Sequence, residues 1–481
     1  MIWWALAAYA ALLLGLGAFA GRRSDRSARE YYLAGRGLST FVLFMALFGT
    51  NTTPFLLIGI PGLAYHAGLP VFGLNAAILA LLLPITFWTV GVPARRIAHR
   101  LGAMSPAELY AKRLDSRAVG LALFALWTLY TLPYMATALE GAELTLQVAT
   151  EGNVPPYLGA AGVLVLSLVY TSIGGMRATA WTNVVQGSLF AGFVLAALYF
   201  QARGIGGSEG LPGALRRLAE ERPDLCTPSA EGLFAPRAFF SWSLTIGLCV
   251  IAFPHMLVRL FAASSEASLA RVCRLYPLAL VLLWLPAVLC GAFGALAFKG
   301  LEGQSSDAIF GLMAGEFLPP WLASLAFLAV LAAVMSTLDA QLLTLGSMLA
   351  RDVLPAHRSA RAERLAARGF ATLVSIATFL VWRFGGSAVF DLASVAFSGY
   401  VTLIPTLILG LHWRRFSAAG ALLSLAAGSA LLLAALLEAG GLSAATRASW
   451  LGFLPVVWGL AGATLGALAG SLARPGDLEA A

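Results

Sequence analysis

Apolar residues in this chain run in long blocks separated by short polar stretches. Thirteen blocks are long enough to cross about 30 Å of hydrocarbon as helices. They lie at 2–20, 39–62, 69–92, 118–146, 154–174, 180–202, 238–262, 275–298, 319–347, 366–383, 388–411, 418–437 and 449–472. The longest connection, 203–237, has room only for a short helix around Ala214–Glu221. After the third block, Ser105-Pro-Ala-Glu108 reads as a capping box with proline at the first helical position. Between the fifth and sixth blocks, Gly174-Gly175 permits a sharp reversal, Arg177 makes the turn basic, and Thr182 and Gln186 carry polar groups into the next helix.

Composition turns this pattern into a class. Hydrophobic residues make up 59% of the 481 and charged residues 11%, against roughly 45–50% and about 25% in soluble domains. The chain is therefore read as an all-α polytopic membrane protein whose partner is the lipid bilayer. Its net charge of +8 would suggest nucleic acid in a soluble protein, but the distribution of charge points to topology instead. With the N-terminus outside, the inner loops hold 23 of the 31 basic residues, and five of the other eight sit in 203–237 beside five acids. That predicts an outside N-terminus and a cytoplasmic C-terminus in the cell's inner membrane. Met1-Ile-Trp-Trp lacks a basic leader, so the first helix is expected to be retained. Only Lys112 and Lys299 are lysines, a bias typical of a GC-rich bacterial genome.

Several chemistries find no support. Cys226, Cys249, Cys273 and Cys290 lack metal-ligand spacing, and only Cys226 falls in an outer loop, so no structural disulfide is expected. There is no CxxC, Walker A, GxSxG or HExxH pattern, and the five His residues are scattered. The chain is not expected to be an enzyme, and no obligatory protein partner is evident.

The run Tyr170-Thr-Ser-Ile-Gly-Gly-Met-Arg-Ala-Thr-Ala-Trp-Thr-Asn-Val-Val-Gln-Gly187 closely resembles the signature of the sodium/solute symporter family, whose members include sodium-coupled carriers of proline, pantothenate and glucose. Glu30-Tyr-Tyr-Leu-Ala-Gly-Arg-Gly-Leu38 and Pro405-Thr-Leu-Ile-Leu-Gly-Leu-His-Trp-Arg-Arg415 also resemble family segments, in the family's order. The resemblance implies the leucine-transporter-like fold. Two inverted five-helix repeats would occupy 39–202 and 238–411, joined by the 203–237 loop. The flanks would be 1–38, with the first helix, and 412–481, with two C-terminal helices and a short tail.

Each repeat of that fold opens with a broken helix. In the first, Phe48-Gly-Thr-Asn-Thr-Thr-Pro-Phe55 puts glycine, proline, asparagine and three threonines in an apolar helix. Unwinding there frees carbonyls for a cation; a proline kink repaired by threonine hydroxyls is the alternative. In the second, Thr245-Ile-Gly247 with Cys249 is the expected weak point, ahead of Pro254, with His255 and Arg259 as anchors at the inner surface.

Ala332-Ala-Val-Met-Ser-Thr-Leu-Asp-Ala-Gln341 is similar to the family's sodium motif. Carried over, Ala333 supplies a carbonyl, Ser336 and Thr337 supply hydroxyls, and Gly49 and Thr52 complete the shell with carbonyls. Such neutral oxygens suit a sodium ion better than a divalent one. The alternative is that both hydroxyls only bond back to carbonyls on their own helix. Asn183 stands where many members have Asp, while Asp339 lies on the sodium-motif helix. The pair is a candidate second cation or proton site; otherwise Asp339 bonds Gln341, Asn183 or Arg177.

The resemblance also places the solute pocket between the breaks, with Asn51, Phe55 and Leu56 on the first and Ile246 and Val250 on the second. Asn75, Tyr134 and Tyr400 are further candidates, followed by Thr137, Glu140, Ser398 and Thr402; Glu140 and Glu143 alternatively face water. Leu56 cannot bond a sugar hydroxyl, which favours an organic acid, amino acid or similar small solute. The expected function is a sodium-coupled symporter working by alternating access. Proton-coupled or uncoupled transport, or a non-transporting solute sensor, are the alternatives.

Overall fold

The computed structural model describes residues 2–24, 27–150, 152–354, 359–385, 389–441 and 444–478. Met1, Arg26 and Arg358, used above for topology, lie outside them. Among the described residues the chain is helical, with no strand beyond a single parallel bridge between Leu38 and Ala263.

Helix α1 is Ile2–Ser24, and a short linker helix, Ala28–Leu33, follows it. Helices α2 (Thr40–Asn51) and α3 (Phe55–Ala67) form one bent span, and α4 is Pro70–Arg100. The capped helix α5 is Pro106–Arg113, α6 is Arg117–Ala149 and α7 is Pro156–Gly206. The loop helix α8 covers Leu211–Glu221, slightly longer than its sequence predicts. A second bent span comprises α9 (Pro236–Ala252) and α10 (Pro254–Phe261). Then come α11 (Glu266–Ala297), α12 (Pro320–Met348), α13 (Ala360–Gly385), α14 (Val389–His412), α15 (Ala418–Ala439) and α16 (Pro455–Ala473).

Ten of these helical stretches are single candidate spans, and the two bent pairs make twelve. The thirteenth is inside α7, whose 51 residues would be about 76 Å long if straight, twice a bilayer. It reverses at Gly175, with φ 57° and ψ −151°. A side chain there would be strained and would run into the carbonyl of Tyr31.

Connections gather at two ends of the bundle. At the basic end, Arg36 donates to the carbonyls of Ala98 and Ala103 at 3.2 and 2.8 Å. Ser105 donates to Asp352 at 2.8 Å, Arg351 meets Glu108 at 3.1 Å, and Arg177 holds Glu30 at 2.8 Å. Burial pushes the Glu108 carboxyl up, but Lys112, the Met104 amide and Arg351 together hold it below its usual range. At the opposite end, Tyr65 donates to the Phe298 carbonyl at 2.8 Å and the Leu69 amide to the Leu225 carbonyl at 2.8 Å.

The core surrounds the two bent spans. α3 packs on α11, α2 and α10 both pack on α12, and α7 packs along α1 and α12. Large apolar side chains such as Trp4, Leu81, Tyr199 and Phe384 point outward, as suits a lipid-facing surface.

The first bend, 56°, falls at Thr52–Pro54 as the sequence predicts. The second, 46°, is corrected from Thr245–Gly247 to Phe253. Pro254 excludes its predecessor from helical geometry, and Phe253 takes φ −67° and ψ 123°. Gly247 serves packing instead: a Cβ there would collide with Leu82. His255 and Arg259 are likewise corrected. They are not surface anchors but lie fully buried on α10.

Candidate functional site

Unwinding at Thr52 and Thr53 brings the end of α2 against the middle of α12. Ser336 lies 2.9 Å from the Gly49 carbonyl and 2.8 Å from the Ala333 carbonyl. Thr337 lies 3.1 Å from the Ala333 carbonyl and 3.4 Å from that of Thr50. Each hydroxyl thus bonds back along α12 and also crosses to α2, so bonding back to its own helix does not account for all of its contacts. Gly49, Ala333, Ser336 and Thr337 converge within a few ångströms, all buried. Thr52 caps α2 in extended geometry, its own hydroxyl turned back to Phe48 at 3.0 Å. Its carbonyl thus belongs to the unwound segment beside this cluster. The Thr50 carbonyl is an oxygen that the sequence did not single out.

The donor set consists of uncharged oxygens, and no His, Cys, Asp or Glu cluster fit to hold a metal occurs among the described residues. That chemistry fits a monovalent hard cation and offers little to a divalent one.

Asn183 and Asp339 have separate partners. The Asn183 amide donates to the Thr50 hydroxyl at 2.8 Å and to the Ala46 carbonyl at 3.3 Å, tying α7 to α2. Asp339 accepts from Tyr170 at 2.9 Å and Thr182 at 3.4 Å. Neither Gln341, Asn183 nor Arg177 bonds Asp339, and Arg177 is engaged by Glu30. One oxygen of Asn183 and one of Asp339 are buried without a partner.

The solute candidates assemble around an aromatic cluster. Phe55 stands against Phe390, Phe397 and Trp284, with ring centroids 5.3, 5.2 and 6.2 Å away. Tyr134 lies 5.1 Å from Phe253 and 5.2 Å from Phe397, and Tyr400 lies 4.8 Å from Phe253. Asn75 joins through Trp242, which donates to its side-chain oxygen at 3.0 Å and stacks on Phe390 at 5.0 Å. Ile246 and Val250 are buried on α9, on the stripe that runs from Trp242 to Phe253. Leu56 is buried behind Phe55, and Asn51 is half-buried at the end of α2, paired with Tyr276.

Three lesser candidates also have partners. Thr137 and Thr402 bond back to carbonyls on their own helices, and Glu140 accepts from the Trp382 indole at 3.0 Å. Ser398 is buried on α14. Glu140 and Glu143 are both half-buried, so they do not simply face water. Phe253, Phe397, Trp242 and Trp284 escaped the sequence reading because an aromatic in an apolar helix carries no signal of its own. Phe253 had one, the proline that follows it.

The fold, a helical bundle built on two bent spans, is shared with solved transporters. A Na+-coupled sialic acid symporter in a substrate-bound outward-open state superposes with a TM-score of 0.81, covering 100% of this chain and 99% of its own at 17% identity. MhsT in complex with L-phenylalanine superposes at 0.57 over 90% of this chain and 97% of its own, with 13% identity. In sequence, the sodium/pantothenate symporter of Escherichia coli is 27% identical, over 94% of this chain and 92% of its own. The sodium/proline symporter of Salmonella typhimurium is 25% identical, over 85% and 83%. The sodium:solute symporter family profile matches residues 31–428, so this chain belongs to the sodium:solute symporter family, whose activity is sodium-coupled transport across a membrane.

Proposed function

We propose that this chain imports a small organic solute with sodium by alternating access, with its N-terminus outside and its basic end in the cytoplasm. The observation that carries the reading is the crossing of Ser336 and Thr337 from α12 to the Gly49 and Thr50 carbonyls on α2. A sodium ion among Gly49, Thr52, Ala333, Ser336 and Thr337 would replace these hydroxyl-to-carbonyl bonds with ion–oxygen contacts. It would also join the first broken helix to α12 and so bias which side of the bundle is open. The solute would part the aromatic cluster and sit against Phe55, Tyr134 and Tyr400. Solute binding must then tighten sodium binding by the same factor, usually about 5–150-fold.

For the solute, the aromatic side chains favour a molecule with an apolar body. Leu56 offers a sugar no hydrogen bond, and the relatives' solutes, pantothenate and proline, both carry a carboxylate. A small organic or amino acid is therefore the proposed class. The test is sodium binding to the purified protein against potassium and choline, in the parent, Ser336→Ala and Thr337→Ala. Saturable, sodium-selective binding weakened in both variants is expected. A folded parent that binds no sodium would overturn the reading.

A further inference from the structure

Arg259 is the most anomalous side chain in the protein. It is buried on α10, and none of its three guanidinium nitrogens has a hydrogen-bond partner. Stranding a charge in a membrane protein is costly, so an unpaired arginine here needs a role. α10 packs on α12, and Arg259 lies within electrostatic range of Asp339, the Tyr170 and Tyr276 hydroxyls and the His255 ring. Asp339 is fully buried and uses one oxygen for Tyr170 and Thr182, leaving the other free. A guanidinium without a partner and a carboxylate with one oxygen unpartnered are thus buried on two packed helices, within electrostatic range but not bonded to each other.

Their positions give this gap a meaning. Asp339 stands two residues from Thr337, next to the sodium cluster and displaced from it towards the basic end. Arg259 is on the short helix beyond the second break, also towards the basic end. α12 is thus bridged to the first broken helix at Ser336 and Thr337 and faces the second at Asp339.

We propose that Arg259 and Asp339 form a charge latch that holds α10 to α12 while the path to the basic end is shut, and that parts when it opens. The proposal rests on the alternating-access reading above. In the structure the two are neither paired nor wet; a small approach of α10 would complete the pair and a small retreat would leave both charges to water, the two discrete arrangements that a gate requires. The guanidinium also supplies the positive charge beside Asp339, so this carboxylate needs no second external cation.

The test uses the full chain in lipid nanodiscs, with the four cysteines replaced by alanine and Leu342→Cys as reporter. Leu342 is buried and lines a small cavity with Tyr31 and Thr171 on the basic-end side of Asp339. Alkylation by a water-soluble maleimide therefore reads opening at that end. Arg259→Gln and Asp339→Asn should each accelerate alkylation roughly 5- to 20-fold, within the usual range of coupling. The double variant should be no faster than the faster single, because the second change has no pair left to break. Rates within about twofold of the parent in both singles, or effects that simply add in the double, would overturn the latch.

If either single variant strands its charge and fails to fold, the double-neutral variant must recover a folded, monodisperse protein. Failure of that rescue also overturns the proposal. Sodium should slow alkylation in the parent and not in Ser336→Ala. Loss of that arm alone, with the non-additive pair intact, would count against the sodium reading and leave the latch standing.

Discussion

At Ser336 and Thr337 the decisive fact is what lies across from the hydroxyls. A serine or threonine in a membrane helix that bonds only its own carbonyls needs nothing from a neighbour. These two reach the Gly49 and Thr50 carbonyls as well, which is possible only because α2 comes unusually close there. Gly49 also lets α2 pack closely on α7: a Cβ on it would lie 3.1 Å from the Asn183 Cβ and 3.2 Å from the Asn183 carbonyl. Gly49→Ala should therefore fold, because the neighbours need give by only a few tenths of an ångström. It should move the Gly49 carbonyl and weaken sodium binding by about 1–2 kcal/mol, roughly 5–30-fold. An unchanged sodium isotherm would remove Gly49 from the ion's shell. These residues were singled out through the likeness to the family's motif, since a serine and a threonine in an apolar helix by themselves suggest only bonds to their own carbonyls. Arg259 stood out as a charge in an apolar run but was assigned to the surface, since a sequence does not say how deep an arginine sits.

Among the elements, both broken helices are set by proline, and the difference between them explains why one was located from sequence and the other misplaced. At Thr52–Pro54 glycine, proline and polar residues coincide, so every local preference agrees. Around Phe253 only Pro254 acts, within an apolar run, and Gly247 attracted attention it did not merit. The chain still has to satisfy the carbonyls freed by the break. Trp127 of α6 does so, donating its indole N–H to the Ala252 carbonyl at 2.8 Å, fully buried. Trp127→Phe keeps most of the packing but strands that carbonyl, a cost of about 1–3 kcal/mol. The expected result is a lower Tm in detergent, and an unchanged Tm would mean that another donor takes over. The reversal inside α7 is stricter. Gly175→Ala places a side chain at φ 57° against the Tyr31 carbonyl, so it should abolish folded protein on size-exclusion chromatography. The thirteen spans were legible from length and hydropathy alone, whereas their packing partners were not, because apolar faces in a membrane protein look alike all round.

On the scale of the whole molecule, the end opposite the basic loops carries its own clasp, between α3, the loop before α12 and α14. Asp307, in the loop before α12, accepts the Val389 amide at the start of α14 at 3.2 Å. It also closes over α3, where a Cβ on Gly62 would come within 2.6 Å of its carboxyl oxygen. Burial, with Asp391 nearby, pushes the Asp307 carboxyl up to about 7, although the Val389 amide works the other way. An unfolded aspartate titrates near about 3.9, so between that value and about 7 the folded protein binds more protons at this site than the unfolded chain does. Stability must then fall as pH rises through this window and level off above it, where both states are ionised. Tm should accordingly decline from pH 5 to pH 7 and flatten beyond. Asp307→Asn keeps an acceptor for the Val389 amide but has no charge to bury, so it should remove this share of the decline while other groups titrate as before. If parent and variant trace parallel Tm curves from pH 5 to pH 8, Asp307 does not make the clasp sensitive to protons. If the curves diverge, the proton on Asp307 contributes to the stability of this end of the bundle, and the cost of burying its charge is what the alkaline side of the window adds.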